Sequence, residues 1–360
     1  MIDFLVVGGG IAGISAAARL SHLGNVTVLE GEQALGYHAS GRSAAMFEET
    51  YGLPSTVALN RASRDYHRHE NGGVLSPRGL MLVGTADDRE DFARDMVSME
   101  MDAITVSEAL DMVPVLDTGV VTQVGYHAAA WDIDTDLLIQ NFAREVRGNG
   151  GQVLTRQHIL AISRTASGWI IRTRDQTFEC RVLVNAAGAW VDEIATMAGI
   201  APLGFMPLRR SIARIPAPGG HDVKYWPMMF GPGENWYAKP DAGKLLVSPA
   251  DADHVEPHDA WPEDLVLAQG IARFEAVTTQ PVTRLESSWA GLRTFAPDRS
   301  LVIGLDPQDP AFLWNAGQGG YGFQTSPAAS RLLGDLVAGR PSELDVQTIA
   351  ALSPSRFSRP

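Results

Sequence analysis

Three glycines near the amino terminus have the spacing of a dinucleotide-binding turn. Gly8, Gly10 and Gly13 form the pattern G-x-G-x-x-G directly after a short apolar run. Gly8 permits a tight turn, Gly10 lets the backbone approach a pyrophosphate, and Gly13 lets the following helix pack closely. The amino terminus of that helix offers free N–H groups and a positive dipole to phosphate oxygens. The spacing therefore predicts binding of a dinucleotide pyrophosphate.

An acidic residue follows at the distance that such a site requires. Glu30 comes about 20 residues after Gly10, at the end of a second apolar run. A carboxylate at this position accepts hydrogen bonds from a ribose diol and repels a 2′-phosphate. NADP is therefore disfavoured, whereas FAD and NAD both remain compatible with the pattern.

A strand, a helix and a second strand must position these residues. The run at residues 2–7 (IDFLVV) is short and apolar, as expected for a parallel strand that is buried on both faces. Residues 14–23 have a helical pattern that ends at Gly24, and residues 25–30 have the composition of a second strand. This β–α–β order is the context in which the glycine pattern binds a dinucleotide.

Composition limits the class of protein. The 360 residues include 29 Lys and Arg against 42 Asp and Glu, which gives a net charge of −13, and 45% of them are hydrophobic. Nucleic-acid binding is disfavoured, because it needs a basic face. No apolar run approaches the roughly 18 residues of a membrane span, and the first strand begins too early to leave room for a signal peptide. We therefore expect a cytoplasmic globular protein that binds a small-molecule substrate.

Cysteine and histidine usage gives no sign of a metal or of disulfides. Cys180 is the single cysteine, which excludes a disulfide scaffold and a multi-cysteine metal site. We predict no metal site among the nine histidines either.

Three further segments separate a flavin from a nicotinamide cofactor. They are rich in small residues and lie at residues 36–45 (GYHASGRSAA), 182–190 (VLVNAAGAW) and 314–327 (WNAGQGGYGFQTSP). With these segments, and with residues 75–78 (LSPR), 132–136 (DIDTD) and 289–293 (WAGLR), the sequence resembles the D-amino-acid oxidase and dehydrogenase superfamily of flavoproteins. Within that superfamily it is most similar to the bacterial D-arginine dehydrogenases, and the likeness covers nearly the whole chain.

The resemblance implies a fold and a cofactor. The fold would be α/β, with a glutathione-reductase-like FAD-binding domain of Rossmann type interleaved with a mainly antiparallel α+β substrate domain. The cofactor would be FAD, held non-covalently, with its adenine against Ile159 and its flavin against residues 319–324. The expected cofactor-binding residues are Gly8, Gly10, Ile11, Ala12, Gly13, Glu30, Gly31, Ala39, Ser40, Gly41, Arg42, Ser43, Ala44, Ala45, Met46, Ile159, Ala187, Gly188, Trp190, Gly319, Gly320, Tyr321, Gly322, Phe323 and Gln324.

The glycine-rich segment at residues 314–327 is also expected to lead into a helix. Ser326 is a good N-cap, and Pro327 suits the first helical position. A helix that begins there would direct its positive end at the flavin pyrimidine, where negative charge accumulates as N5 accepts hydride.

Cofactor-binding segments are spread along the chain, so a second domain must be made of insertions. We assign residues 1–75, 141–205 and 285–360 to the FAD-binding domain, and residues 76–140 and 206–284 to the substrate-binding domain. Residues 235–247 are predicted to form a hairpin with a four-residue turn at residues 240–243 (PDAG).

The resemblance also implies a substrate site. Arg210 and Arg293 would hold a substrate carboxylate, because a guanidinium fork matches a carboxylate in two parallel hydrogen bonds. Tyr237 and Tyr51 would donate hydroxyl hydrogen bonds and complete the catalytic set, with Gln324 nearby.

Structural roles remain as alternatives for these side chains. Arg293 could instead pair with Asp298, and Tyr51 or Tyr237 could serve only in packing. Strand alternation lets only one of Arg209 and Arg210 face the site, and we favour Arg210.

Two departures from the D-arginine dehydrogenases bear on the substrate. Leu80 stands where they have the glutamate that holds the substrate guanidinium, and Met46 replaces a histidine beside the flavin. A buried cation would lack its counter-charge in such a pocket, at a cost of several kcal/mol. We therefore expect a D-amino acid with an uncharged, hydrophobic side chain. It would be oxidised by hydride transfer from Cα to flavin N5 and hydrolysed to a 2-oxo acid and ammonia.

Other readings remain open at this level. One is a glycine- or sarcosine-type oxidase that acts on small or N-alkylated amino acids, although Cys180 is poorly located for covalent flavin attachment. Another is an electron-transfer or binding subunit that carries flavin without a substrate pocket, and a third is an NAD-dependent dehydrogenase. The sequence does not distinguish oxygen, a quinone or a carrier as the electron acceptor, nor does it reveal the oligomeric state.

Overall fold

The computed structural model describes residues 1–357, and within them the strands gather in three sheets. The strands are β1 (Ile2–Val7), β2 (Val26–Leu29), β3 (Met46–Glu48), β4 (Leu75–Pro77), β5 (Leu80–Thr85), β6 (Asp102–Ile104), β7 (Val121–His127), β8 (Ala130–Ile133), β9 (Gln152–Leu154), β10 (Ile159–Thr165), β11 (Gly168–Thr173), β12 (Thr177–Asn185), β13 (Met206–Ile215), β14 (Met228–Phe230), β15 (Tyr237–Asp241), β16 (Lys244–Ser248), β17 (Ser287–Phe295), β18 (Val302–Leu305) and β19 (Phe312–Ala316). The helices are α1 (Ile11–Leu20), α2 (Pro54–His69), α3 (Arg89–Ser98), α4 (Val106–Met112), α5 (Thr135–Gly148), α6 (Val191–Met197), α7 (Asp264–Glu275), α8 (Gly322–Ala338) and α9 (Val346–Leu352).

The first sheet grows from the predicted β–α–β unit. Its parallel part has the order β9-β2-β1-β12-β19, and α1 packs against it between α5 and α8. Ala16, Ala17 and Ala18 are fully buried on α1, which permits this close packing. The carboxyl ends of the parallel strands lie along one edge, and ligands of such sheets bind in the crevice outside that edge.

The second sheet has the order β17-β13-β16-β15-β14-β5-β7-β6, and it is antiparallel except where β14 runs parallel to β5. Its registers place Leu80 opposite Met228, Phe230 opposite Tyr237, and Leu208 opposite Arg293. Because residues that lie opposite each other share a face, these pairs and the alternate residues along each strand define one surface of the sheet. That surface faces the substrate cavity described below.

A third, small sheet joins the two larger ones. It has the order β3-β8-β4, and Met46 lies opposite Asp132 within it. β3 directly follows the segment at residues 36–45, so this sheet fixes where that segment runs between the two larger sheets.

The structure differs from the sequence prediction at β17 and at the hairpin. Residues 287–295 were assigned to the cofactor segments, but they form β17, the edge strand that pairs with β13 in the second sheet. The predicted hairpin forms from β15 and β16, but Asp241 pairs with Lys244, so its turn has two residues instead of four. Ala242 and Gly243 both have positive φ, which matches the strand twist in such short turns.

Helix α8 also begins earlier than predicted. Its first residue is Gly322 and its N-cap is Tyr321, so Ser326 and Pro327 lie within the helix. Pro327 has no N–H for the carbonyl of Phe323, and the hydroxyl of Ser326 donates to that carbonyl instead, at 2.9 Å. This substitute hydrogen bond lets the helix continue through the proline.

Candidate functional site

A cavity of about 420 Å³ lies at the carboxyl edge of the parallel strands. This volume is within the range of small-molecule and cofactor sites, roughly 300–1,000 Å³. All the predicted cofactor-binding residues line it except Gly13, Gly41 and Tyr321. Gly41 instead makes a tight turn with Gly36, and Tyr321 lies beside the ring of Tyr51.

The three glycines of the G-x-G-x-x-G pattern have distinct structural roles. Gly8 has φ +103°, and a Cβ there would overlap the carbonyl oxygen of Ala186. A Cβ on Gly13 would overlap the carbonyl of Gly8, so Gly13 lets the helix pack on the turn before it. A Cβ on Gly10 would meet only Ser40 Oγ, at 3.2 Å, so its open side faces the cavity. Such a turn at a helix amino terminus fits a pyrophosphate.

Glu30 is buried next to this turn. One carboxylate oxygen accepts from the backbone N–H of Gly9 at 2.6 Å, and the other accepts from that of Glu32 at 2.8 Å. The carboxylate thereby braces the glycine turn, and it also lines the cavity. Each oxygen retains a second lone pair, so this geometry is compatible with the predicted contact to a ribose diol.

The amino terminus of α8 lies at the other end of the cavity. Gly319, Gly320 and Gly322 line it, and unpaired amides of a first helical turn can meet negative charge there. The amide Nε2 of Gln324 is buried and has no hydrogen-bond partner within residues 1–357. The two helix termini, the open glycines and this free donor fit a cofactor that has a pyrophosphate in its middle and a polar ring at one end, as FAD has.

Arg42 lines the larger cavity, but its guanidinium is used within the chain. Nη1 donates to the carbonyls of Ala260 and Ala290, at 3.0 and 2.9 Å, and Nη2 lies 2.5 Å from Asp259. The guanidinium of Arg42 is therefore held by hydrogen bonds within the chain, and the side chain forms part of the cavity wall.

Cys180 is remote from the cavity. It lies on β12, is almost fully buried, and does not line either cavity; burial raises the pKa of its thiol to about 12. A thiol that is buried and protonated is chemically inert.

A second cavity of about 110 Å³ adjoins the first. The two share a wall that includes Met46, Arg210, Tyr237, Arg293 and Gln324. The structure brings all seven predicted substrate-binding residues together around the smaller cavity: Met46, Tyr51, Leu80, Arg210, Tyr237, Arg293 and Gln324.

Arg210 and Arg293 lie on the same face of the second sheet. Arg293 is opposite Leu208, and Arg210 is two residues further along the same strand, so their side chains are diagonal neighbours. Gly291 lies opposite Arg210, and a Cβ there would press on the backbone of Ala39, at 3.3 Å. A Cβ on Gly320 would lie 3.1 Å from Nη1 of Arg293, which means that Arg293 reaches the loop before α8.

Two alternatives concerned the arginines: that Arg209 faces the site in place of Arg210, and that Arg293 pairs with Asp298. Observed contacts argue against both. Arg209 projects from the opposite face and binds Asp253 and Glu263, at 2.9 and 2.5 Å. Asp298 pairs with Arg356 at 2.7 Å, so it is not engaged by Arg293.

The guanidinium of Arg210 is held in place by a backbone hydrogen bond. Its Nε donates to the backbone carbonyl of Asp251 at 2.7 Å. Burial and the neighbouring charge of Arg293 lower the pKa of Arg210 to about 10, so the guanidinium stays charged at neutral pH. Two adjacent guanidiniums in a buried cavity can accommodate an anion that bridges them, such as a carboxylate.

The two tyrosines present their hydroxyls differently. The hydroxyl of Tyr51 donates to Oε2 of Glu234 at 2.9 Å. Burial, and then the charge of Glu234, raise the pKa of Tyr51 well above its ordinary value. The hydroxyl of Tyr237 is buried and has no partner within residues 1–357, so it can serve a ligand in the cavity. Sequence reasoning missed Glu234, which is the last residue of the short turn at Pro232–Glu234 and has φ +52°.

The far side of the smaller cavity is mostly apolar. Met99, Met228 and Phe230 join the predicted Leu80 and Met46. The sequence offers no signal for these three, because Met228 and Phe230 are placed by the register of β14 against β5, and Met99 is placed by the packing of α3, which ends just before it.

One charged residue also lies along this wall. Glu48 is buried; its Oε1 accepts from the backbone and hydroxyl of Thr50, and its Oε2 lies 3.1 Å from Nε2 of His127. Oε1 is thus held by the chain itself, whereas Oε2 is buried and accepts no hydrogen bond within residues 1–357. Sequence analysis did not single it out.

Within residues 1–357, no group of three or more His, Cys, Asp or Glu side chains is placed to hold a metal ion. His254 and His258 are spaced like a helical ligand pair, but they lie in an irregular segment. In the same part of the chain, the helices are too short or too polar to cross a bilayer.

Known proteins share this architecture. A family model described as FAD dependent oxidoreductase (DAO) matches residues 3–336. The FAD-dependent oxidoreductase domain-containing protein 1 of Bos taurus is 24% identical over an alignment 425 residues long, which covers 99% of this chain and 84% of that protein.

Solved structures agree with this match. Glycine oxidase from Geobacillus kaustophilus superposes with a TM-score of 0.81 at 22% identity, with 96% of each chain covered. L-alpha-glycerophosphate oxidase from Mycoplasma pneumoniae, solved with FAD bound, gives 0.83 at 18% identity and covers 96% of this chain and 99% of its own. At these identities the likeness concerns the fold, and it confirms the predicted α/β class. The closer likeness to D-arginine dehydrogenases stays a prediction.

Proposed function

Since the chain belongs to the FAD-dependent oxidoreductase (DAO) family, whose model matches residues 3–336, we propose that it oxidises the α-carbon of D-amino acids with uncharged, hydrophobic side chains. The protein is an FAD-dependent oxidoreductase; the substrate class is our inference. The observation that carries it is the pair Arg210 and Arg293, which share one face of the second sheet beside the loop that begins α8.

The charges around the smaller cavity support a zwitterionic substrate. Arg210 and Arg293 supply two positive charges, and Glu48 and Glu234 supply two negative ones. A zwitterion with a neutral tail preserves this balance, whereas a cationic tail would add an uncompensated charge to a buried site. The substrate carboxylate would bridge the two guanidiniums, and the free hydroxyl of Tyr237 would donate to it.

The composition of the distal wall supports a hydrophobic side chain. Leu80, Met46, Met99, Met228 and Phe230 present methyl, thioether and aromatic groups to the cavity. Thioethers are flexible and adapt to apolar groups of different shape. A range of aliphatic side chains is therefore favoured over one fixed shape.

Bound FAD supplies a two-electron acceptor at the N5 atom of its flavin. The substrate, held by Arg210 and Arg293, would give up its Cα–H as hydride to this acceptor and an amine proton to solvent, which would leave the C=N bond of an imino acid. Water then adds to the imino acid and releases a 2-oxo acid and ammonia. The side chains of the site act by orientation, which lowers most of the barrier when reacting atoms are held in line.

A glycine- or sarcosine-type oxidase is the second candidate. It is favoured by the small volume of the cavity, about 110 Å³, and by the structural likeness to glycine oxidase. It would accept glycine or an N-methyl amino acid better than leucine or methionine.

One titration separates these functions. Purified holoenzyme is mixed anaerobically with D-leucine, D-methionine, their L enantiomers, glycine and sarcosine, and the visible absorbance of oxidised FAD is followed. We expect rapid bleaching with D-leucine and D-methionine. Bleaching by glycine and sarcosine alone supports the second candidate, and bleaching by L enantiomers alone contradicts the proposed configuration. A yellow protein that none of them bleaches contradicts both.

A further inference from the structure

An irregular segment forms part of the wall of the larger cavity and contacts the second sheet and the turn at Ser40–Arg42. This segment, residues 250–263, joins β16 to α7, and we call it the acidic strap. It contains no lysine or arginine and has five carboxylates, at Asp251, Asp253, Glu256, Asp259 and Glu263. Because these carboxylates lie close together in the sequence, we expect positively charged side chains on the surrounding elements to bind them.

Both ends of the acidic strap are attached to one arginine. Arg209 lies 3.4 Å from Asp251 and 2.9 Å from Asp253 near the start, and 2.5 Å from Glu263 at the end. The side chain of Arg209 is only 7% exposed. The strap is therefore a loop with a closed base, and its middle extends away from that base.

The middle of the acidic strap reaches the cofactor cavity. His258 and Ala260 line the larger cavity. Between them, Asp259 lies 2.5 Å from Nη2 of Arg42, and the carbonyl of Ala260 accepts from Nη1 of the same guanidinium at 3.0 Å.

Arg42 connects the acidic strap to two further elements. It ends the short turn at Ser40–Arg42, whose Ser40 binds the first turn of α1. Its Nη1 donates to the carbonyl of Ala290 on β17, and its own carbonyl accepts from Nε1 of Trp289 at 3.2 Å. Arg42 thus connects three elements around the cavity: the turn at Ser40–Arg42 beside the start of α1, the second sheet and the acidic strap.

We propose that the acidic strap is a clasp that retains FAD, and that the contact of Arg42 with Asp259 and Ala260 closes it. The middle is held by a single carboxylate, Asp259, which is 58% exposed, whereas three carboxylates bind Arg209 at the base and one of them, Asp251, is only 4% exposed, so the middle of the strap opens more easily than its base. FAD enters and leaves when this contact opens. Arg42 and Asp259 are positioning residues in this account, and it does not depend on which substrate is oxidised.

The first test measures the rate of FAD release. Asp259→Asn holoenzyme is diluted, and the rise in fluorescence of free flavin is followed. Because the ion pair is partly exposed, we expect release about two- to fivefold faster than from wild type. Asp91→Asn is the matched control, since Asp91 also lies 2.5 Å from an arginine, is 55% exposed, and is on α3. It should release FAD at the wild-type rate.

The second test distinguishes an open strap from general destabilisation. Amide hydrogen exchange of residues 250–263 is compared in wild type and Asp259→Asn, both with FAD bound, and the melting temperatures of the two apoproteins are compared. We expect faster exchange in the strap with unchanged apoprotein melting. Release of FAD at the wild-type rate, or unchanged exchange in the strap, overturns the proposal. If Asp259→Asn does not fold, Arg42→Lys, which keeps the charge but loses the fork, is tested in the same way.

Discussion

The Nε of Arg210 donates a hydrogen bond to the backbone carbonyl of Asp251, which leaves the two terminal amino groups of the guanidinium without partners in residues 1–357. The side chain of Asp251 is itself held, because it accepts from the backbone N–H and the hydroxyl of Ser211 at 2.6 and 2.8 Å. The orientation of the substrate-facing guanidinium is therefore set by the acidic strap.

Arg210→Lys should weaken the grip on a substrate carboxylate. Lysine keeps the charge but has no planar fork, so kcat/KM should fall about 10- to 100-fold, which corresponds to about 1.5–3 kcal/mol. Steady-state kinetics with D-leucine provide the measurement. Arg214→Lys on the same strand is the control, because Arg214 lies 3.5 Å from Asp241 at the hairpin and lines neither cavity. Equal kinetics for the two variants would contradict the clamp.

Leu80→Glu should shift the side-chain preference towards cations. A carboxylate on the apolar wall supplies the counter-charge that a buried ammonium or guanidinium needs, so the ratio of kcat/KM for D-arginine to that for D-leucine should rise at least about tenfold. Leu80→Gln has nearly the same shape without the charge and should leave this ratio close to wild type. A flat response to D-arginine in the glutamate variant would show that Leu80 does not contact the side chain.

Tyr51 and Glu234 should behave as a coupled pair. Because the hydroxyl of Tyr51 donates to Glu234, Tyr51→Phe and Glu234→Gln remove parts of one interaction. The double variant should lose less kcat/KM than the product of the single losses, with a coupling free energy of about 0.5–3 kcal/mol. Tyr51→Phe combined with Asp309→Asn should be additive, since Asp309 pairs with Arg164 on β10 and lines neither cavity. Additive losses in the first pair would mean that the hydrogen bond does not affect catalysis.

Gly10→Ala should impair FAD binding without preventing folding. The added methyl meets only Ser40 Oγ within the chain, so its main effect is on the approach of a ligand to the turn. We expect the Kd for FAD to rise at least about tenfold, by titration of apoprotein, at unchanged apoprotein melting temperature. Gly148→Ala at the end of α5 meets nothing within 4 Å and serves as the control. A Gly10→Ala protein that binds FAD normally would contradict the assignment of the turn.

His67 should make the protein less stable in mild acid. Its Nε2 donates to the carbonyl of Gln324 at 2.9 Å, and burial lowers its pKa from 6.5 to about 4. The unfolded chain therefore binds a proton at higher pH than the folded protein, so the free energy of unfolding decreases as pH falls from 6.5 towards 4, by about 2–3 kcal/mol. His67→Gln, which keeps a donor but cannot titrate, should flatten this part of the profile in thermal melts. An identical pH profile in the variant would contradict it.

The cofactor half of the molecule was largely predictable because its information is local. The glycine pattern, the apolar runs and Glu30 lie within the first 30 residues, and each residue type follows from backbone geometry within that stretch. The confirmed α/β fold and FAD cofactor were accordingly inferred from short motifs and their order. The start of helix α8 was misplaced by five residues, because Ser326 and Pro327 are typical of a helix start, whereas here the Ser326 hydroxyl donates to the carbonyl of Phe323 and the helix continues through both residues.

The substrate half depended on relationships that no local pattern encodes. Met228 and Phe230 lie beside Leu80 only because β14 pairs with β5 across more than a hundred residues, and Glu234 reaches Tyr51 through a loop. Arg42 belongs to a motif expected to contact the cofactor, yet its guanidinium binds the acidic strap. The sequence by itself determined which elements form and which cofactor they suit, since periodicity and glycine spacing act over a few residues. Only the tertiary structure decided which distant side chains meet, since strand register and loop packing set those contacts.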